Sequence, residues 1–231
     1  MESNLEQIRP GEPLPPAFYR LPALASAPRL LGQTLVRHTE EGDIRCRIVE
    51  TESYGGVEDK GSHAYGGRRT ARTEVMFAEG GVAYVYLIYG MYNCLNVVTG
   101  HADDPQAVLI RAVEPLTPAD EARMRRYRGT AVRKPADLSG GPGKLCRALD
   151  IGKALNGQSL ARPGGPLWLE AGAVEVAKPA SGEADEVILQ APRINIAYAA
   201  EYAAKPWRFY FRGNPYVSVI DKQAEAWPGT L

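Results

Sequence analysis

Cysteine, histidine and lysine are all scarce in this chain. The three cysteines, Cys46, Cys94 and Cys146, stand far apart and form no C-x-x-C pair. So sparse and odd a set argues against a disulfide framework or a zinc knuckle, and each thiol is expected to be reduced and buried as a small apolar side chain. With only three histidines, a metal would lack further ligands, and no metal site is expected. No apolar run approaches the roughly 18 residues that span a bilayer. The opening MESNLEQIRPGEPLPP is acidic and proline-bearing, without the hydrophobic core of a signal peptide. The expectation is a protein inside the cell and off the membrane. Neither sign of charge is in excess, since 27 Lys+Arg balance 27 Asp+Glu. That weakens a nucleic-acid reading, because phosphate binding wants a basic surface. The distribution softens the objection. Residues 1–60 carry 7 basic and 10 acidic side chains, residues 61–135 carry 10 and 7, and residues 136–231 carry 10 of each. Only 7 of the cations are lysine, and the 20 arginines suit bidentate phosphate contacts. Charge permits a phosphate-bearing partner and does not demonstrate one.

What is present is material for a core. A chain of 231 residues, 45% of them hydrophobic, fills one sizeable domain or two small ones. Residues 21–31 read as a short helix closed by Gly32, and 33–38 turn to strand-like alternation. A turn at Glu41-Gly42-Asp43 leads into a long strand ending near Tyr54, which predicts a hairpin. Residues 55–72 are rich in glycine and charge, without apolar period, and read as a functional loop. Strands are expected at 82–88, 92–98 and 107–113, with turns at Gly90 and at 101–105. Residues 118–128 form a candidate helix, basic toward its C-terminal end, and 143–149 another. Further strands are expected at 167–170, 186–189 and 208–211, and 196–204 as helical. Runs of strands with few helices between them predict an α+β fold. That means a single domain over 18–231, with a curved, largely antiparallel β-sheet and peripheral helices, behind a loose tail at 1–17.

Two tyrosine-rich segments carry the chemistry. In Val49–Tyr54 (VETESY) strand alternation puts Ile48, Glu50, Glu52 and Tyr54 on one face. Two carboxylates so placed are costly against a core unless paired or used. If partly buried, their mutual repulsion would leave one ionised as a base. Spacing alone does not separate this from a solvated strand edge. In Tyr84–Asn96 (YVYLIYGMYNCLN) Tyr84 and Tyr86 share one face and Val85 and Leu87 fill the other. Tyr89 precedes Gly90 and is expected to protrude at the turn, where packing alone would not place a ring. Asn96 projects with Tyr92. Between the segments, glycines flank His63 and leave backbone amides available to a ligand, and Arg68, Arg69 and Arg72 follow at once. A carboxylate, a ring-lined slot and a cationic rim suit a flat, nitrogen-rich ligand.

Five motifs taken together go further. VETESY, the E-D-x-x-x-H-x-x-G-G-R run of 58–68, YVYLIYGMYNCLN, LIRAVEP at 109–115 and RFYFRGNPYVSV at 208–219 resemble the alkyladenine (3-methyladenine) DNA glycosylase family. The resemblance runs with few gaps from about Phe18 to Asp221. It implies a fold similar to the formyltransferase C-terminal-domain-like fold, and base-excision repair of alkylated or deaminated purines in double-stranded DNA, with no cofactor. By resemblance, Glu52 is the general base that activates water and Glu50 the neighbouring structural carboxylate. Arg111 and the main-chain carbonyl of Ile194 help hold that water. Tyr54, His63 and Tyr86 sandwich the flipped purine, Asn96 at the pocket floor disfavours the amine of normal guanine, and Tyr89 is the wedge entering the emptied stack. Arg68, Arg69 and Arg72 stand as candidate contacts to the DNA backbone. No lysine aligns with the catalytic position, so a monofunctional glycosylase leaving an abasic site is expected, acting as a monomer in the bacterial cytoplasm at the nucleoid. Ala71 departs from the proline that family members often have there. The competing readings are a non-catalytic nucleic-acid-binding module and a nucleoside hydrolase, which would need neither a protruding Tyr89 nor an arginine loop.

Overall fold

The spine of the molecule is one long strand with a bend in it. In the computed structural model, which describes residues 8–172 and 187–229, strand β2 runs over Gly42–Gly55. Its first half pairs antiparallel with β1 (Thr34–Thr39), closing the expected hairpin with Thr39 opposite Gly42. On the other edge β2 pairs with β5 (Gln106–Pro115) from Cys46 to Gly55, and the register slips between Ile48 and Thr51. This bulge buries Ile48 and Val49 together in the main core, whereas a regular strand would send them to opposite faces. The uniform alternation expected here therefore fails at one place. Ile48 joins the core, while Glu50, Glu52 and Tyr54 keep a common, polar face.

Beyond β5 lie β4 (Tyr92–Thr99) and the edge strand β3 (Ala83–Ile88). Beyond the second half of β2 lie β8 (Arg208–Phe211), β7 (Ile188–Ala191) and the two-residue β9 (Glu225–Ala226). Strand β6 (Leu167–Glu170) pairs with the free edge of β1. Every pairing among the described residues is antiparallel, giving one nine-stranded sheet and the expected α+β fold. β7 starts two residues later than the expected 186–189, and Glu186 lies outside the described residues. Leu87, expected to fill the core face of β3, is instead 47% exposed, because β3 is an edge strand running out toward its turn.

Helices cover one face. The first turn, α1 (Pro16–Tyr19), and α2 (Ala23–Leu30) start after prolines, and Gly32 turns the chain at φ 84° after α2. Helix α3 (Pro118–Arg128) has complete end chemistry. Thr117 caps the Asp120 amide, Asp120 and Glu121 sit in the first turn, and arginines fill the last. The short α4 (Pro135–Ser139) and α5 (Pro142–Ala148) follow, and α5 packs on β4 and β5. Helices α4 and α1 and strand β9 are too short for a sequence period to reveal. The expected helix at 196–204 is a kinked 3-10 stretch, Ala197–Tyr202, because Ala200 adopts φ 49°. Residues 11–14 of the expected tail lie along β6: Gly11 and Leu14 donate amides to Ala171 and Leu169, and the Leu14 side chain is buried. No described helix is long and apolar enough to cross a membrane.

Candidate active site

The polar face of β2 opens into a cavity of about 570 Å³, walled by the ends of β3, β4 and β5, the loop before His63, the α4–α5 connection and the Ile194–Tyr198 stretch. Nearly all the residues singled out in the sequence converge here. Tyr54, His63, Tyr86, Tyr89, Asn96, Arg111 and Ile194 line it. Glu52 lies beneath them, 0% exposed, and is held by three of the liners. Its Oε1 accepts the Ile194 amide at 2.8 Å and faces Arg111 Nη1 at 3.3 Å, and its Oε2 accepts the Tyr54 hydroxyl at 2.9 Å. The role of Tyr54 as a donor to Glu52 was not visible in the sequence.

Glu50 belongs to a second, structural set. Its Oε1 meets Arg111 Nε at 3.3 Å and Arg208 Nη1 at 3.0 Å, and its Oε2 accepts the Ser218 amide at 2.7 Å. Both carboxylates are thus buried yet partnered, and they share Arg111 between them. Burial opposes the charge of Arg111, but the Glu52 and Glu50 carboxylates outweigh it and hold its pKa above the usual value. Burial, reinforced by Glu52, pushes the Tyr54 phenol well up, so it stays a proton donor.

The base of the His63 loop is pinned by Asp59, which accepts the Gly55 and Gly61 amides at 3.0 and 2.9 Å and pairs with Arg193 at 2.5 and 2.7 Å. Both members of the pair are fully buried. The Arg193 guanidinium is layered between the rings of Tyr54, at 4.7 Å, and Trp207, at 5.0 Å. One arginine thereby joins the end of β2, the loop and the Ile194 segment. Arg193 follows a proline in a stretch without period, so only the fold exposes its place; Arg208, a lone cation in the apolar run RFYF, was the better signal.

His63 and the tyrosines form one aromatic wall. The His63 ring stands edge-on to Tyr86 at 4.6 Å between centroids, its Nδ1 lies 3.0 Å from the Tyr84 hydroxyl, and Tyr84 and Tyr86 are 5.2 Å apart. Burial, and then the Arg72 and Arg68 charges, lower the His63 pKa to about 4, leaving the ring neutral near pH 7. Asn96 donates its Nδ2 to the Tyr84 carbonyl at 3.0 Å, which fixes its orientation on the floor. Tyr89 sits at the β3–β4 turn with φ 53°, 74% exposed. Of the three loop arginines, Arg72 lies 5.1 Å above the Tyr86 ring, whereas Arg69 is engaged by Glu74 and Asp103. Arg68 is exposed. Among the described residues no group of three or more His, Cys, Asp or Glu is placed to hold a metal ion.

The fold and the cavity define a protein with a ring-lined pocket set over a buried carboxylate that three of the lining residues hold. Comparison with known proteins narrows this class to a family. The methylpurine-DNA glycosylase family model matches residues 17–215, and the chain belongs to that family. Among its relatives is a protein of Bacillus cereus (strain G9842) named "Putative 3-methyladenine DNA glycosylase", 48% identical over 207 residues, which span 88% of this chain and 98% of the relative. Proteins of the same name from Bacillus cytotoxicus (strain DSM 22905 / CIP 110041 / 391-98 / NVH 391-98) and Bacillus thuringiensis (strain Al Hakam) are likewise 48% identical over the same shares.

Proposed function

We propose that this protein flips alkylated or deaminated purines, among them 3-methyladenine, 7-methylguanine, hypoxanthine and etheno-adenine, out of duplex DNA. It then hydrolyses the N-glycosidic bond with a water activated by Glu52. The observation that carries the proposal is Glu52 itself, buried below a ring-lined cavity with donors on both oxygens. A carboxylate so fixed is oriented for one task. Breaking the bond builds positive charge on the sugar, which a fixed carboxylate stabilises without reorganisation. Water adds its oxygen to C1′, its proton passes to Glu52, and the purine departs with the bonding electron pair. Arg111 and the main chain of Ile194 position the carboxylate and the water, and Glu50 keeps Arg111 in place. The purine lies among Tyr54, His63 and Tyr86, over Asn96, while Tyr89 fills the gap in the stack. Stacking on a ring contributes roughly 1–3 kcal/mol per base, comparable with the cost of flipping a nucleotide.

The test is base release from a duplex carrying one hypoxanthine, run beside methylated DNA, for the wild type and Glu52→Gln. Release by the wild type, lowered at least about a hundredfold in the variant with binding to the lesion duplex retained, is the expected result. Binding without release by the wild type would mark a nucleic-acid-binding module instead. The cavity also includes Lys144, whose amine is occupied by the Ala136 carbonyl at 3.1 Å and by Asp137 at 3.5 Å. A monofunctional enzyme therefore gives no covalent adduct when the reaction is run in borohydride; a trapped adduct would make Lys144 a Schiff-base nucleophile.

A further inference from the structure

Two side chains stand out as the most exposed large apolar groups among the described residues, Tyr89 at 74% and Tyr198 at 71%. Both line the same cavity, on different walls. Tyr89 has a part in the proposed function and Tyr198 has none. Tyr198 stands in a stretch bracketed by two non-glycine residues in left-handed backbone, Asn195 at φ 61° and Ala200 at φ 49°. Such conformations cost of order 1–3 kcal/mol each and persist where the surroundings enforce them. Here they carry a ring out over the rim of the cavity. The ring is also tethered, since its hydroxyl reaches the carbonyl of Gly61 at 3.4 Å, in the loop before His63. A tethered ring has less rotamer freedom to lose when a ligand stacks on it.

From this we infer that Tyr198 is a DNA-contacting residue, a second aromatic platform that stacks on the nucleobase next to the flipped purine in the lesion-bearing strand. The inference rests on the proposed function. The strand assignment follows from position. Tyr198 lies four residues after Ile194, whose amide is bonded to Glu52. Glu52 is the group that meets the sugar of the flipped nucleotide, so the wall bearing Tyr198 lies beside that sugar. What adjoins the sugar is its own strand's next nucleotide, before anything on the opposite strand. Every base has a π face, so such a platform strengthens binding with little sequence preference.

The experiment uses the full chain and a duplex whose hypoxanthine nucleotide carries a 2′-fluorine to slow release. 5-Iodouracil is placed on either side of it, or across from it. Long-wavelength irradiation cross-links this base to an aromatic ring stacked on it. The expected result is an adduct at Tyr198 from one neighbouring position in the lesion strand, kept in Tyr198→Phe and lost in Tyr198→Ala. Affinity for the lesion duplex is expected to fall about tenfold in Tyr198→Ala and less than threefold in Tyr198→Phe. Adducts that avoid Tyr198, or that form there only from the opposite strand, would overturn the inference, as would unchanged affinity in Tyr198→Ala. The exposure of the side chain makes a folding defect easy to separate, by comparing melting temperatures. Base release by the wild type from the unfluorinated duplex is measured alongside. Its absence would count against the glycosylase reading, while the adduct and affinity data would still judge Tyr198.

Discussion

At the scale of single residues, His63 ties stability to pH. Its pKa falls from 6.5 to about 4 in the fold, through burial first and the Arg72 and Arg68 charges second. In the unfolded chain the ring takes its proton near pH 6.5, so between these values the unfolded state holds more protons and stability rises with pH. The contribution is complete above about 6.5 and is lost as pH falls through about 4. Thermal melts of the wild type should therefore weaken from pH 6.5 to 5, before most carboxylates titrate. His63→Gln should flatten that slope by up to about 1.4 kcal/mol per pH unit. An unaltered slope in the variant would mean that His63 ionises in the folded protein as it does in water. The same ring explains what the sequence could not decide. A loop histidine is usually a surface residue, and only its edge-on contact with Tyr86 makes this one part of a wall.

At the scale of elements, the site depends on how a loop and a bulge are held. Gly61 is required sterically: a Cβ there would stand 2.9 Å from Arg193 Nη2 and 3.2 Å from Asp59 Oδ1. Since the Arg193–Asp59 pair is buried, neither partner can move aside cheaply. Gly61→Ala is expected to cost roughly 1–3 kcal/mol in urea unfolding and to slow base release, because the His63 loop shifts. Gly152→Ala is the control, with no atom within 4 Å of the added methyl and an extended φ of −117°, and should lie within about 0.5 kcal/mol of the wild type. Equal effects at the two positions would remove the loop anchor from the explanation. The bulge in β2 was illegible for a related reason. Ile48-Val49 reads as ordinary strand, and whether two neighbours point the same way depends on the partner strand's register.

At the scale of the whole molecule, the three thiols test the core. Cys46, Cys94 and Cys146 are free and buried, and burial raises the pKa of each, Cys94 included although it lines the cavity. A thiol-exchange reagent should find almost no reactive thiol in the native protein and three in denaturant. A rapidly reacting native thiol would show that the cavity floor at Cys94 opens to solvent. The balanced net charge also acquires a physical account at this scale. Many arginines are spent within the protein: Arg111 and Arg208 on Glu50, Arg193 on Asp59, Arg69 on Glu74 and Asp103. Counting cations along the chain therefore overstates the charge left to meet phosphate.

By itself the sequence determined what is local or periodic. It located α3, β6 and β8 at their observed bounds, because caps and apolar runs are written in neighbouring residues. It determined the family as well, because long ordered motifs cannot recur by chance. It also named seven of the residues that line the cavity, through those motifs rather than through their spacing. Tertiary structure decided the partners. That Arg208 and the Ser218 amide hold Glu50, that Arg193 sits between Tyr54 and Trp207, and that Tyr198 and Tyr89 line one cavity are matters of how separate segments meet. Such arrangements arise only when β8, the loop and the Ile194 stretch close over β2, and no local pattern encodes which of these segments meet.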